Sequence, residues 1–92
     1  MTASAKDAKP GPMRRAIAQL EAAKTAKEPL VFLRTARKEL VGAKSNKEGE
    51  RKDAIAYVDE AIAYAMTGDK TTMQEKITKA INNVKSGIAR AK

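Results

Sequence analysis

The 92-residue chain has no histidine, no cysteine and no tryptophan, and only three of its residues are aromatic. Without cysteine or histidine it cannot form disulfides, use a thiol nucleophile or an imidazole base, or supply the usual ligands of zinc. No apolar run approaches the roughly 18 residues that a membrane span requires. The carboxylates form no cluster in the sequence, and no serine has a histidine to activate it. We therefore predict a protein with no catalytic residues, no cofactor and no bound metal, and not an enzyme.

Alanine is what the chain has in abundance. It supplies 18 of the residues that make the sequence 42% hydrophobic. Alanine is the best helix former and lets helices approach closely, whereas valine, tyrosine and phenylalanine, which favour strands, are scarce. Ninety-two residues are also too few for two ordinary domains. The composition therefore predicts one small all-α domain.

Apolar residues recur at the helical spacing of three and four residues in four segments. The segments run from Pro12 to about Thr25–Lys27, from Pro29 to about Lys44, from Glu50 to Met66, and from Thr71 or Thr72 towards the C-terminus. Short links between them predict a small antiparallel four-helix bundle, because neighbours in sequence then pack side by side. We expect this bundle to span residues 12–92. Residues 1–11 hold no apolar periodicity, so we expect them to form a disordered, flexible tail.

Each segment carries an apolar stripe that is predicted to face the core. The stripes comprise Met13, Ala16, Ile17, Leu20 and Ala23; Leu30, Leu33, Ala36, Leu40 and Ala43, widened by Val31, Phe32 and Val41; Ala54, Ile55, Val58, Ala61, Ile62 and Ala65; and Met73, Ile77, Ala80, Ile81, Val84 and Ile88. The sequence Ala-Ile-Ala-Tyr occurs at 54–57 and again at 61–64. We interpret this repeat as a seam of small and large residues along one helix.

Proline, glycine and threonine mark the predicted helix ends. Pro29 disfavours helical geometry at the preceding residue but suits a first helical turn, so we expect two antiparallel helices and not one kinked rod. Gly68 suits a glycine cap after the third helix, and residues 45–49 suit a loop. Two pairs have the spacing of a capping box at the start of the fourth helix: Thr72 with Glu75, and Thr71 with Gln74.

Two tyrosines are candidates for interaction. Tyr57 and Tyr64 are seven residues apart, so both lie on one face of the third helix, beside the seam formed by Ile55 and Ile62. They form either an edge of the bundle or an exposed aromatic patch for a partner, since tyrosine suits interfaces.

The positive charge is unevenly distributed along the chain. Residues 13–48 carry +5 of the formal net charge of +8. Arg34, Arg37 and Lys38 belong to this basic part and are further candidates for interaction. These three residues either form a solvated charged surface or attract an anionic partner such as nucleic acid. The sequence offers no recognition-helix signature to support specific nucleic-acid binding.

Residues 33–68 resemble a known group of proteins. They combine the pattern L-x-x-A-x-x-x-L-x-x-A at 33–43 with Gly49, Arg51, a repeated Ala-Ile pair and a closing glycine. The pattern resembles that of small secreted or periplasmic bacterial proteins of unknown function, in which a Gly-Gly-His-Arg loop joins the two helices. The chain has Glu-Gly-Glu-Arg at 48–51, so no role of that histidine carries over. The resemblance implies an exported helical protein and implies no activity.

Two functions follow as expectations from these observations. The first is a non-enzymatic helical protein that is periplasmic or secreted and acts through protein–protein contacts, with an unidentified partner or a second copy of the chain. The alternative is a small basic protein that binds nucleic acid, which rests on charge alone. A salt titration separates the two, because binding driven by phosphate contacts weakens steeply with salt.

Overall fold

The computed structural model describes residues 11–43 and 49–90, and within them every regular element is a helix. The helices are α1 (Pro12–Thr25), α2 (Pro29–Gly42), α3 (Gly49–Thr67) and α4 (Lys70–Arg90). The all-α fold is thereby confirmed. Residues 1–10, most of the predicted tail, lie outside the described part, and so does most of the predicted loop at 45–49. Gly11, assigned to the tail, is the N-cap residue of α1.

The helices form a closed ring. Each one packs against two neighbours, in the order α1–α2–α3–α4 and back to α1, and the two diagonal pairs make no contact in the described part of the chain. An ion pair of 3.0 Å between Arg15 and Glu39 joins the start of α1 to the end of α2. These two helices are therefore antiparallel, and Pro29 separates them as predicted.

Polar contacts, and the two-residue link between the packed helices α3 and α4, show that the other neighbours are also antiparallel. The Arg51 side chain at the start of α3 donates to the Leu40 carbonyl at the end of α2, at 3.0 Å. Gln74 near the start of α4 donates to the Lys24 carbonyl at the end of α1, at 2.7 Å. The predicted antiparallel four-helix bundle is confirmed. We call the end with the two short links, at residues 26–28 and 68–69, the link end of the bundle.

The core depends on small side chains. In the described part of the chain, seven of the 16 buried hydrophobic residues are alanine: Ala16, Ala23, Ala36, Ala43, Ala54, Ala61 and Ala80. Its largest fully buried side chains are Leu20, Leu33, Leu40, Met73, Ile77, Val58 and Val84. Because alanine has only a methyl group, neighbouring backbones approach closely, and the larger residues fill the space between these contacts.

The predicted stripes are wider than the buried surface. Six of their members are only partly buried and pack against the edge of the core: Ile17, Phe32, Ile55, Ile62, Ala65 and Ile88. Val31 and Val41 are 60% and 43% exposed, so their assignment to the core is wrong. Each helix contacts only two neighbours. Side chains at the margin of a broad stripe therefore remain in water.

The link from α3 to α4 confirms one predicted cap and corrects another. Gly68 has φ of +84°, its amide donates to the Ala65 carbonyl, and the amide of Asp69 donates to the Tyr64 carbonyl. This is a Schellman motif, which requires the left-handed conformation that glycine adopts at little cost. The predicted capping boxes are wrong: Asp69 caps α4, and its carboxylate accepts a hydrogen bond of 3.1 Å from the amide of Thr72. The helix consequently begins at Lys70.

Candidate interaction surface

The outer seam between α2 and α3 is fixed by an ion pair. Arg37 of α2 and Asp59 of α3 are 2.6 Å apart, and both side chains are about half exposed. Leu30 lies seven residues before Arg37, and Met66 lies seven residues after Asp59. Two helical turns place Leu30 and Met66 on the same two facing edges, nearer to the link end.

The link end of this seam exposes large apolar side chains. Val31 is 60% exposed and Met66 is 65% exposed. Val31, Leu30 and Ala65 line one open cleft of about 310 Å³, which shares Lys27, Pro29 and Ala65 with a larger cleft of about 390 Å³. We call Leu30, Val31, Ala65 and Met66 the link-end patch. It spans the facing edges of α2 and α3, and Ala65 lines both clefts.

Cations surround the link-end patch. Lys27 lines both clefts, Lys70 lines the larger one, and Arg34 is exposed one helical turn beyond Val31. None of these three forms an ion pair within the residues that the structure describes. Glu28 is the carboxylate that lines the smaller cleft. The Asp69 carboxylate is already held by the first turn of α4. The apolar surface therefore has a rim with excess positive charge.

The two tyrosines lie on the other edge of α3. Tyr57 is partly buried against the core, with the ammonium groups of Lys76 and Lys79 at 5.9 and 5.7 Å from its ring centroid. These distances suit cation–π contacts. Tyr64 is 36% exposed, two turns nearer to the link end. Tyr57 thus packs as an edge of the bundle, and Tyr64 alone of the pair presents an exposed ring.

Lys76 connects this tyrosine edge to a carboxylate. Its ammonium group lies 3.0 Å from Glu60. This hydrogen bond raises the pKa of Lys76 above its ordinary value of 10.5, and the negative charge of Glu60 acts in the same direction. The lysine is therefore charged at neutral pH. The contribution of the lysine charge to stability is fully present below pH 10.5 and is lost as the pH rises beyond that value.

The predicted basic residues do not form one site with the tyrosines. Arg34 and Lys38 are exposed on the outer face of α2, whereas the Arg37 guanidinium is held by Asp59 on α3. Tyr57 and Asp59 are two residues apart on α3, so they point to opposite sides of it. The structure therefore places the two groups of candidates on different seams of the bundle, and only Arg34 borders the link-end patch.

The described residues contain no group of three or more carboxylates that could hold a metal ion. Adjacent Asp59 and Glu60 turn to opposite neighbours, where they pair with Arg37 and Lys76 respectively. Both carboxylates therefore serve as links between helices. None of the described helices has the length and apolar character needed to cross a membrane.

No protein-family model, curated protein or solved structure matches the chain. The resemblance to small exported bacterial proteins, and the periplasmic or secreted location that it implies, therefore stay predictions.

Apolar periodicity does not indicate the link-end patch. It places Val31 at the margin of the core stripe and Met66 at the last position of the third helix. One signal is available, because Val31 lies two positions after Pro29, which begins α2, and Met66 lies two positions before Gly68, which follows α3. Large apolar residues at such positions have fewer neighbouring turns to cover them. The sequence alone gave no reason to place the two positions together.

Proposed function

We propose that this protein is a non-enzymatic binding module that acts through protein–protein contacts at the link-end patch. The observation that supports this proposal is the exposure of Val31 and Met66 on adjacent helices, at 60% and 65%. Contiguous apolar surface with a polar rim is typical of interaction sites on soluble domains. Methionine is also enriched in such interfaces, since its flexible side chain adapts to a partner.

Site-specific photocrosslinking tests this function. A photoreactive amino acid is introduced at position 31 or 66, and at position 82 as a control, where Asn82 is exposed on the polar face of α4. We expect positions 31 and 66 to crosslink the same polypeptide in extracts or medium of the source cells, and position 82 not to do so. An excess of the unmodified chain should compete, whereas the double variant Val31→Ser and Met66→Gln should not.

Two results would contradict the proposal. One is a set of adducts that does not depend on the position of the crosslinker. The other is competition by the double variant that equals competition by the unmodified chain. Both substitutions alter exposed side chains and leave the net charge unchanged, so circular dichroism should show the same helix content for the variant.

The alternative function, nucleic-acid binding, has the net charge of +8 in its favour. Arg34 and Lys38 lie four residues apart on α2 and are both exposed, so they could contact one phosphate backbone. Three other cations, Arg15, Arg37 and Lys76, are already paired with carboxylates. Tight binding to duplex DNA that weakens steeply with salt and is lost in Arg34→Glu/Lys38→Glu would favour this alternative.

A further inference from the structure

We infer that the partner segment at the link-end patch is an acidic amphipathic helix. This inference rests on the proposed function and adds the chemistry of the partner. It combines three features of the described surface: its shape, its exposed apolar side chains and the sign of the charge at its rim.

The shape of the surface favours a helix over an extended strand. The described residues include no strand, so no sheet edge is available to which a peptide could add. The link-end patch instead lies along the seam between two antiparallel helices. Such a seam accepts a third helix, whose apolar residues recur at spacings of three and four and reach into the groove.

The apolar side chains supply the floor of this binding site. Leu30 and Ala65 are partly buried and line the smaller cleft, whereas Val31 and Met66 protrude from α2 and α3. A helix seated over the smaller cleft would contact Leu30, Val31 and Ala65 directly, with Met66 at its α3 margin. The larger cleft extends as far as α4, where Lys70 and the buried Met73 line it.

The charges at the rim determine which sign of charge the partner segment should carry. Lys27, Arg34 and Lys70 border the apolar surface, and none is neutralised by an ion pair in the described part of the chain. Glu28 is the single carboxylate at the smaller cleft that no described cation pairs with. A basic partner would meet like charges, which suppress association, whereas carboxylates flanking an apolar face would be attracted.

Selection from a displayed helical library tests this inference without knowledge of the natural partner. The library fixes leucine at the apolar positions of an amphipathic helix and draws each polar position equally from Glu, Gln and Lys. The target is the full chain. We expect the enriched helices to be rich in Glu and to bind the variant Val31→Ser/Met66→Gln at least tenfold more weakly.

Matched charge variants show whether the rim is responsible. The rim variant carries Lys27→Gln, Arg34→Gln and Lys70→Gln. The control variant carries Arg14→Gln, Lys52→Gln and Lys85→Gln, which remove the same charge from exposed positions near the other end of the bundle. We expect the selected peptides to lose at least tenfold in affinity for the rim variant and less than twofold for the control.

The possible failures are distinguishable. Enriched helices that depend on Val31 and Met66 but carry no excess of Glu would contradict the inference that the partner is acidic. They would leave the proposed function standing. Equal losses of peptide affinity in both charge variants would show that net charge attracts the peptides. They would contradict the role given to the cations at the rim. If no enriched helix depends on Val31 and Met66, the inference fails, and the crosslinking result then decides the proposed function separately. Binding to phosphatidylglycerol vesicles that the Val31→Ser/Met66→Gln variant loses would assign the patch to a membrane surface and overturn the inference.

Discussion

Arg51 holds the end of α2 from the first turn of α3, and its removal should be costly. One guanidinium nitrogen donates to the Leu40 carbonyl at 3.0 Å and to the Val41 carbonyl at 3.4 Å. The Leu40 carbonyl also accepts a hydrogen bond of 3.1 Å from the Ala43 amide, so Arg51 supplies its second hydrogen bond. A cation at the end of a helix also complements the helix dipole. A hydrogen bond from a charged group contributes about 1.5–3 kcal/mol. The second bond is long, so we count only one.

We therefore expect Arg51→Ala to lower the free energy of unfolding by about 1.5–3 kcal/mol. In a domain of this size each kcal/mol corresponds to a fall in Tm of about 4–8 °C. Urea titration followed by circular dichroism measures the first quantity, and a thermal melt measures the second. Arg51→Met separates hydrogen bonding from packing, because methionine keeps most of the aliphatic stem but donates nothing.

Lys52→Ala is the matched control for this prediction. Lys52 is exposed and adjacent to Arg51, so its loss should change stability by less than about 0.5 kcal/mol. The reasoning would be refuted if the free energies of unfolding of Arg51→Ala and Arg51→Met both lay within that same margin of the value for the unmodified chain. Loss of stability in Arg51→Ala but not in Arg51→Met would assign the effect to packing and not to the hydrogen bond.

Two more predictions concern the core and the link between α3 and α4. Ile77 is fully buried, so Ile77→Ala should cost about 2–5 kcal/mol, and Tyr64→Ala less than half as much, in the same urea titration. Equal costs would show that Tyr64 belongs to the core. Gly68 has φ of +84° and open space around its added Cβ, so Gly68→Ala should cost about 1–2 kcal/mol through backbone strain alone. Gly49→Ala, also in open space but without positive φ, should be neutral or stabilising; the strain argument fails if the two variants have equal stability.

The number and order of the helices could be predicted because local signals agreed. Apolar spacing fixed the four helical segments, and Pro29 and Gly68 each act through their own backbone geometry, which needs no knowledge of neighbours. The cap of α4 was different. Asp69 and Thr72 are both suitable side chains, and the choice between them depends on where the two-residue link allows the helix to begin. In the structure the Schellman motif at Gly68 delivers Asp69 directly to the N-cap position.

The candidate site was less predictable because it depends on contacts between helices. Periodicity shows which residues share a face, but the covered width of that face depends on how neighbouring helices approach it. Val31 and Leu33 therefore look alike in sequence, although one is 60% exposed and the other fully buried. Arg51 illustrates the same limit, because its acceptors are backbone carbonyls, which every residue has. No side-chain pattern could identify the end of α2 as its target.

Apolar contact with Val31 and Met66 is too weak by itself to hold the proposed partner helix at the link-end patch. Complete burial of a side chain of the size of valine or methionine stabilises by about 1.5–3 kcal/mol. Val31 and Met66 retain 60% and 65% of their exposure, so covering both contributes roughly 2–4 kcal/mol. A micromolar complex needs about 8 kcal/mol, after the loss of translational and rotational freedom has been overcome. The two side chains alone are therefore insufficient, and a partner must also use the clefts and the cations at the rim. This is why the acidic character of the partner, and not apolar contact alone, should decide which helices bind.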